Sequence, residues 1–265
     1  MPTADSPERS PQPNHSIRRL LHFLWFVFSP LLLLILPQAI YVKRTTLRLP
    51  EAEAMDKVPA NPNAFQLVHI GESTVAGVGV QTLDQGFTAN IASQLESHTS
   101  QTVQWHTLGV NGIRLKALIE QAKSQGIPKA NMVIVTMGVN DTTGFTQIKR
   151  WQSQLMELIE WLKPHCTGPI IFTQVPPMMK FPALPAPLRY FIGLRALVID
   201  AYLQKVCGHF EGVFYVGVEP NFETELMAED GYHPSAKGYQ EWSRAITSEL
   251  NKILDQYKAE SSSVD

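Results

Sequence analysis

The run Met132-Val133-Ile134-Val135-Thr136-Met137 has no apolar–polar alternation. A strand of that kind is covered on both faces, and such strands belong to parallel sheets flanked by helices. Short apolar runs of the same character occur at Phe65–Ile70, Thr102–Leu108, Pro169–Gln174 and Val213–Val216. Helical periodicity fills the intervals. Residues 86–98 place Phe87, Ile91 and Leu95 on one face, and Arg114–Ser124 does the same with Leu115, Leu118 and Ile119. Residues 146–163 carry Leu155, Leu158, Ile159 and Leu162, residues 188–206 form a further helix, and a last one runs from near Ser235 to about Tyr257. Strand and helix alternating in this way predict a parallel five-stranded sheet in a three-layer α/β/α sandwich. The stretch 175–187 holds five prolines and is neither helix nor central strand.

The α/β unit occupies residues 64–257, and what precedes it is different in kind. Residues 1–19 are polar and proline-rich and read as a disordered tail, as do residues 258–265. Residues 20–42 are almost wholly apolar and uncharged, with Pro30 placed to kink or break a helix. That length reaches across a bilayer, so a single transmembrane anchor is expected, with a cleaved signal peptide or a buried or interface-lying helix as the alternatives. Arg9, Arg18 and Arg19 precede the run, and Lys43, Arg44 and Arg48 follow it. The charges barely orient it; an extracytoplasmic (periplasmic or extracellular) position for the α/β unit is the favoured reading. Residues 43–63, with Pro50, Pro59 and Pro62, form the linker.

The net charge of −2 gives no electrostatic basis for binding nucleic acid. The two cysteines, Cys166 and Cys207, have no metal-ligand spacing, so no metal site is expected; they either pair or stay as separate thiols. No cofactor is expected: Gly77-Val78-Gly79 is not followed by the lysine of a phosphate loop. Oligomeric state is left open.

Four short motifs fall at strand ends or just before the last helix: Gly71-Glu72-Ser73, Gly109-Val110-Asn111-Gly112, Gly138-Val139-Asn140-Asp141 and Asp230-Gly231-Tyr232-His233. Each alone is an ordinary turn. Parallel sheets gather ligands at the carboxyl ends of their strands, so the first three converge on one edge. Together with the fourth they supply what acyl transfer requires. Ser73 offers a hydroxyl, His233 a base, and Asp230 a carboxylate three residues away to orient the imidazole. The Ser73 and Gly109 N–H groups and the Asn140 amide offer donors for an oxyanion. None of the other histidines has a carboxylate in comparable register.

On these motifs residues 64–255 resemble the SGNH/GDSL hydrolase superfamily, with Glu72 where its pattern has Asp and Thr74 where it has Leu. The resemblance implies a flavodoxin-like sandwich and metal-free serine esterase or lipase chemistry. It makes Ser73 the nucleophile, His233 the base, Asp230 its orienting partner, and Ser73, Gly109 and Asn140 the oxyanion hole. Asp141 is expected to brace the loop of Asn140. The Gly-x-Ser-x-Gly elbow of α/β-hydrolases is excluded by Val75.

The expected substrate is a lipid, lysophospholipid or other acyl ester; Met178, Met179, Phe181 and Leu184 line an acyl pocket, face the membrane or belong to a capped surface loop. The alternatives are de-O-acetylation of a sugar, acyl transfer to an acceptor, and a non-catalytic membrane-tethered binding module.

Overall fold

The structure, a computed structural model, describes residues 15–54, 61 and 63–261. Five strands form: β1 (Phe65–Gly71), β2 (Val103–Gly109), β3 (Met132–Thr136), β4 (Ile170–Thr173) and β5 (Val213–Val216). The helices in chain order are α1 (His15–Phe28), α2 (Leu32–Thr45), α3 (Phe87–Thr99), α4 (Leu115–Gln125), α5 (Val139–Thr143), α6 (Ile148–Leu162), α7 (Leu188–Cys207) and α8 (Ala236–Ser261). The strands are all parallel in the order β2-β1-β3-β4-β5, as the alternating pattern predicts.

Successive side chains of a strand point to opposite faces, and the core divides accordingly. Leu67, Met132, Ile134 and Ile171 pack with Phe87, Ile91 and Leu95 of α3 and Tyr239, Trp242 and Ile246 of α8. Val68, Ile70, Val133, Val135 and Phe172 pack with α4, α6 and α7 through Leu118, Leu155 and Ile199. The register matters most for function. Gly71 is level with Gly109 on one side and with Thr136 on the other, so β1, β2 and β3 end on one rim. Beneath that rim His69 is fully buried, its Nδ1 2.8 Å from Thr88 Oγ1 and its Nε2 2.9 Å from Thr136 Oγ1. Burial pushes its pKa down to about 3, so it is a neutral structural imidazole.

Several boundaries differ from expectation. Residues 15–19, assigned to a disordered tail, open α1, and residues 43–45, assigned to the linker, close α2. The apolar segment is broken at Ser29–Leu31, a single 3-10 turn around Pro30, because proline has no N–H to continue the ladder. Residues 51–53 of the linker are not a free tether. Ala52 N–H donates to Ala76 O at 3.0 Å, Glu53 N–H donates to Gln81 O at 2.8 Å, and Glu51 Oε1 accepts the Asn111 N–H at 2.6 Å. At the other end α8 continues to Ser261, so the helix includes the first residues of the tail expected from 258. The expected disorder of residues 1–14 and 262–265, and the linker at 55–60 and 62, lie outside the described residues. Cys166 and Cys207 are separate thiols.

The segment His15–Thr45 is long and apolar enough to cross a membrane, with a mean hydropathy of 2.2 over its most apolar stretch. It also touches the α/β domain along its length. Arg18 lies over the Tyr202 ring, His22 Nδ1 is 3.0 Å from Tyr202 Oη, and Ile35 and Val42 join the core. The Gln38 amide donates to Ala186 O at 2.8 Å and accepts the Leu188 N–H at 3.1 Å, capping the start of α7. The opposite side exposes Leu20, Phe23, Phe26, Leu33, Leu34 and Tyr41.

Candidate active site

Ser73 follows β1 by two residues in a series of turns, not at the head of a helix. Its carbonyl accepts the Val78 N–H at 3.0 Å, and Val78 O accepts the Tyr239 hydroxyl at 2.7 Å. The nucleophile loop is thereby fixed to α8, the helix that follows His233. Across 160 residues of chain, His233 Nε2 lies 2.8 Å from Ser73 Oγ. His233 Nδ1 lies 2.6 Å from Asp230 Oδ2, while Asp230 Oδ1 accepts the N–H groups of Tyr232 at 2.9 Å and His233 at 3.0 Å. Burial of Asp230 opposes its ionisation, but the bonds from His233 and Tyr232 outweigh it and hold the carboxyl below its ordinary range. A carboxylate on Nδ1 fixes the tautomer that leaves Nε2 free to accept the serine proton.

The Ser73 N–H has no acceptor among the described residues. Gly109, ending β2, packs on the turn that follows Ser73. A Cβ there would fall 2.3 Å from Ala76 N and 2.5 Å from the Val75 carbonyl carbon, so only glycine permits this approach. Asn140 sits in the first turn of α5, a short helix where the sequence pointed to a turn. Gly138 at φ 130° swings the chain from β3 into it. Asp141 braces α5 as expected: Oδ2 accepts the Leu115 N–H at 2.9 Å and Oδ1 the Thr146 hydroxyl at 2.6 Å.

Glu72 has a role that the motif pattern did not reveal. Its side chain is buried, and its two oxygens accept the Val139 N–H at 2.9 Å, the Asn140 N–H at 3.0 Å and the Asn140 Nδ2 at 2.6 Å. One hydrogen of the Asn140 amide is therefore committed to Glu72, which fixes the direction of the other. Burial raises the Glu72 pKa to about 7, against the opposing effect of these donors. The signal available in the sequence was the departure itself, one methylene more than the usual Asp.

Ser73 and His233 border a small, largely apolar cavity of about 40 Å³ whose other walls include Phe181, Phe222, Met227 and Tyr232. Gly109 and Asn140 do not line it. Of the proline-rich stretch, Pro176 and Phe181 line this cavity, whereas Met178 and Leu184 are buried in the core. Asp200 supports the stretch from behind: its Oδ1 accepts the Val175 N–H at 2.9 Å, and its Oδ2 accepts the Tyr215 hydroxyl at 2.9 Å. Among the described residues no group of three or more His, Cys, Asp or Glu is placed to hold a metal ion.

A parallel α/β/α sandwich with serine, imidazole and carboxylate in line on its rim is the architecture of a serine hydrolase. Residues 69–241 match the GDSL-like lipase/acylhydrolase family, and the chain belongs to it. It is a serine ester hydrolase of that family. Solved structures with the same fold include a lipase from a goat rumen metagenome (TM-score 0.55, 15% identity, 72% of this chain and 98% of that one). A psychrotrophic esterase from Pseudoalteromonas sp. aligns with a TM-score of 0.55 and 13% identity over 72% of this chain and 98% of its own. A lipase/acylhydrolase from Enterococcus faecalis aligns with a TM-score of 0.50 and 17% identity over 71% and 96%. No curated protein sequence matches the chain.

Proposed function

We propose that the enzyme hydrolyses short-chain carboxylic esters at a membrane surface through an acyl-enzyme on Ser73. The observation that carries this reading is the unbroken hydrogen-bonded line Ser73–His233–Asp230. Ser73 Oγ attacks the ester carbonyl as His233 Nε2 takes its proton, and Asp230 stabilises the imidazolium. The Ser73 and Gly109 N–H groups and the free hydrogen of the Asn140 amide stabilise the oxyanion. His233 returns the proton to the leaving alkoxide, and water repeats the sequence to free the acid.

The cavity beside Ser73 and His233 supports a short acyl group. A volume of about 40 Å³ accommodates about three water-sized groups, far less than a fatty acyl chain. The same observation favours a second reading, removal of an acetyl group from a sugar. The apolar outward side of α1 and α2 supports attachment to lipid. A p-nitrophenyl ester series from acetyl to octanoyl, run with wild type and Ser73→Ala, tests the proposal. Activity highest at acetyl or propionyl and absent from Ser73→Ala is expected; equal turnover by the variant rejects the mechanism, and a maximum at octanoyl rejects the substrate class.

A further inference from the structure

Where α1 crosses the domain, a second cavity of about 350 Å³ opens between them, bordered by His22, Trp25, Phe145, Gln147, Lys149 and Arg195. Its chemistry is unlike that of the catalytic rim. Arg195 is only 4% exposed, yet it makes no ion pair among the described residues. One of its amino groups donates to Thr146 O, its guanidinium carbon lies 5.1 Å from the centre of the Trp25 ring, and its Nε has no hydrogen-bond partner. Asp141 is near enough to stabilise the charge, but its two oxygens accept the Leu115 N–H and the Thr146 hydroxyl instead.

A buried cation with an idle donor is costly unless an anion completes its shell. Lys149, exposed at the mouth, adds a second positive charge, and no acidic side chain lines the cavity. Arg195 borders the cavity, and a guanidinium is the side-chain cation best matched to the oxygens of phosphate. Phe145, at the edge of the cavity, is itself 46% exposed.

We propose that this cavity binds a phosphate group, held by Arg195 and Lys149 with the Trp25 and Phe145 rings as its walls. The group comes either from a phospholipid headgroup at the membrane surface or from phosphate in solution. Two hydrogen bonds join the site to α5: Arg195 donates to Thr146 O, and the Thr146 hydroxyl donates to Asp141, the residue after Asn140.

The test uses full-length Ser73→Ala protein in a nonionic detergent, so that no ester is consumed. It is titrated calorimetrically with inorganic phosphate, with dihexanoylphosphatidylglycerol and with phosphate-free dihexanoylglycerol. One saturable site for a phosphate-bearing ligand and none for dihexanoylglycerol is expected. Tighter binding of the phospholipid identifies a headgroup site; equal or tighter binding of inorganic phosphate identifies a soluble ligand. Lys149→Glu, at an exposed side chain, should weaken binding by about tenfold, and Arg195→Met should remove it. If circular dichroism shows Arg195→Met to be unfolded, Lys149→Glu alone decides. No saturable binding of either phosphate compound, or the same affinity in Lys149→Glu as in the parent, overturns the proposal. Failure of the esterase reading is seen separately, as a wild-type Ser73 that a fluorophosphonate does not label.

Discussion

Glu72 Oε2 lies 2.6 Å from Asn140 Nδ2, so the residue before Ser73 holds the side chain proposed above as an oxyanion donor. The carboxylate accepts all three of its donors best when ionised, and its pKa of about 7 puts that change within the working range. Activity should therefore rise with pH through about 7. Glu72→Gln sets an amide N–H against one of those donors. It should lower kcat by about 10- to 100-fold and remove the Glu72 contribution to the pH profile. Stability runs the other way. A carboxyl whose folded pKa is raised favours the fold most below its unfolded value of 4.5, and that stability is lost as pH rises through about 7. Melting temperatures should fall over that interval in wild type and fall less in Glu72→Gln. Parallel melting curves for the two proteins would remove Glu72 from this account.

Asp230 can be tested apart from its neighbours. In Asp230→Asn an amide N–H faces His233 Nδ1 in place of a carboxylate oxygen and favours the tautomer with Nε2 protonated. Ser73 then lacks a base, and kcat should fall by about 10⁴-fold. The Asn carbonyl can still accept the Tyr232 and His233 N–H groups that Asp230 Oδ1 holds, so the fold should survive. Stopped-flow acylation with p-nitrophenyl acetate, alongside a thermal melt, separates loss of the base from loss of structure.

The strands and the Asp230–His233 pair were legible because both depend on local chemistry. The strand at Met132–Thr136 declares itself by an apolar run, and Asp230 and His233 share one turn. Glu72 was harder to read, because its partners Val139 and Asn140 lie 67 and 68 residues away and only the sheet register joins them. The helix α5 was missed for a related reason. Val139–Thr143 has little helix propensity, and Asp141 and Glu72 hold the turn through bonds to residues distant in sequence. The N-terminal segment shows the limit of hydropathy. An apolar run signals affinity for lipid, but the contacts of Arg18, Gln38 and Ile35 with α7 and the core come from the fold of the whole chain.

Gly109→Ala probes the approach of β2 to the nucleophile turn. The added methyl would meet Ala76 N and the Val75 carbonyl carbon, both backbone atoms that no rotamer change can clear. The turn must move, and overpacking of this kind costs about 1–3 kcal/mol. Since that turn carries Ser73, kcat should fall far more steeply than stability, by about 100-fold or more for displacement of an oxyanion donor. A variant with lowered melting temperature and wild-type kcat would show that Gly109 serves packing alone.

The acyl cavity makes a prediction about chain length. Phe222 is half-buried, borders the cavity and packs against Phe181 with tilted rings at a separation of 5.3 Å. Phe222→Ala opens the cavity at its wall while leaving Ser73, His233 and Asp230 untouched. Each methylene that gains a buried place contributes about 0.8 kcal/mol, or about fourfold in kcat/KM. The optimum should therefore move from acetyl or propionyl toward hexanoyl, with the acetyl rate little changed. The p-nitrophenyl ester series measures this directly. An unchanged ranking of chain lengths would mean that the acyl group lies elsewhere along the rim, and that the small cavity beside Ser73 receives the leaving alcohol.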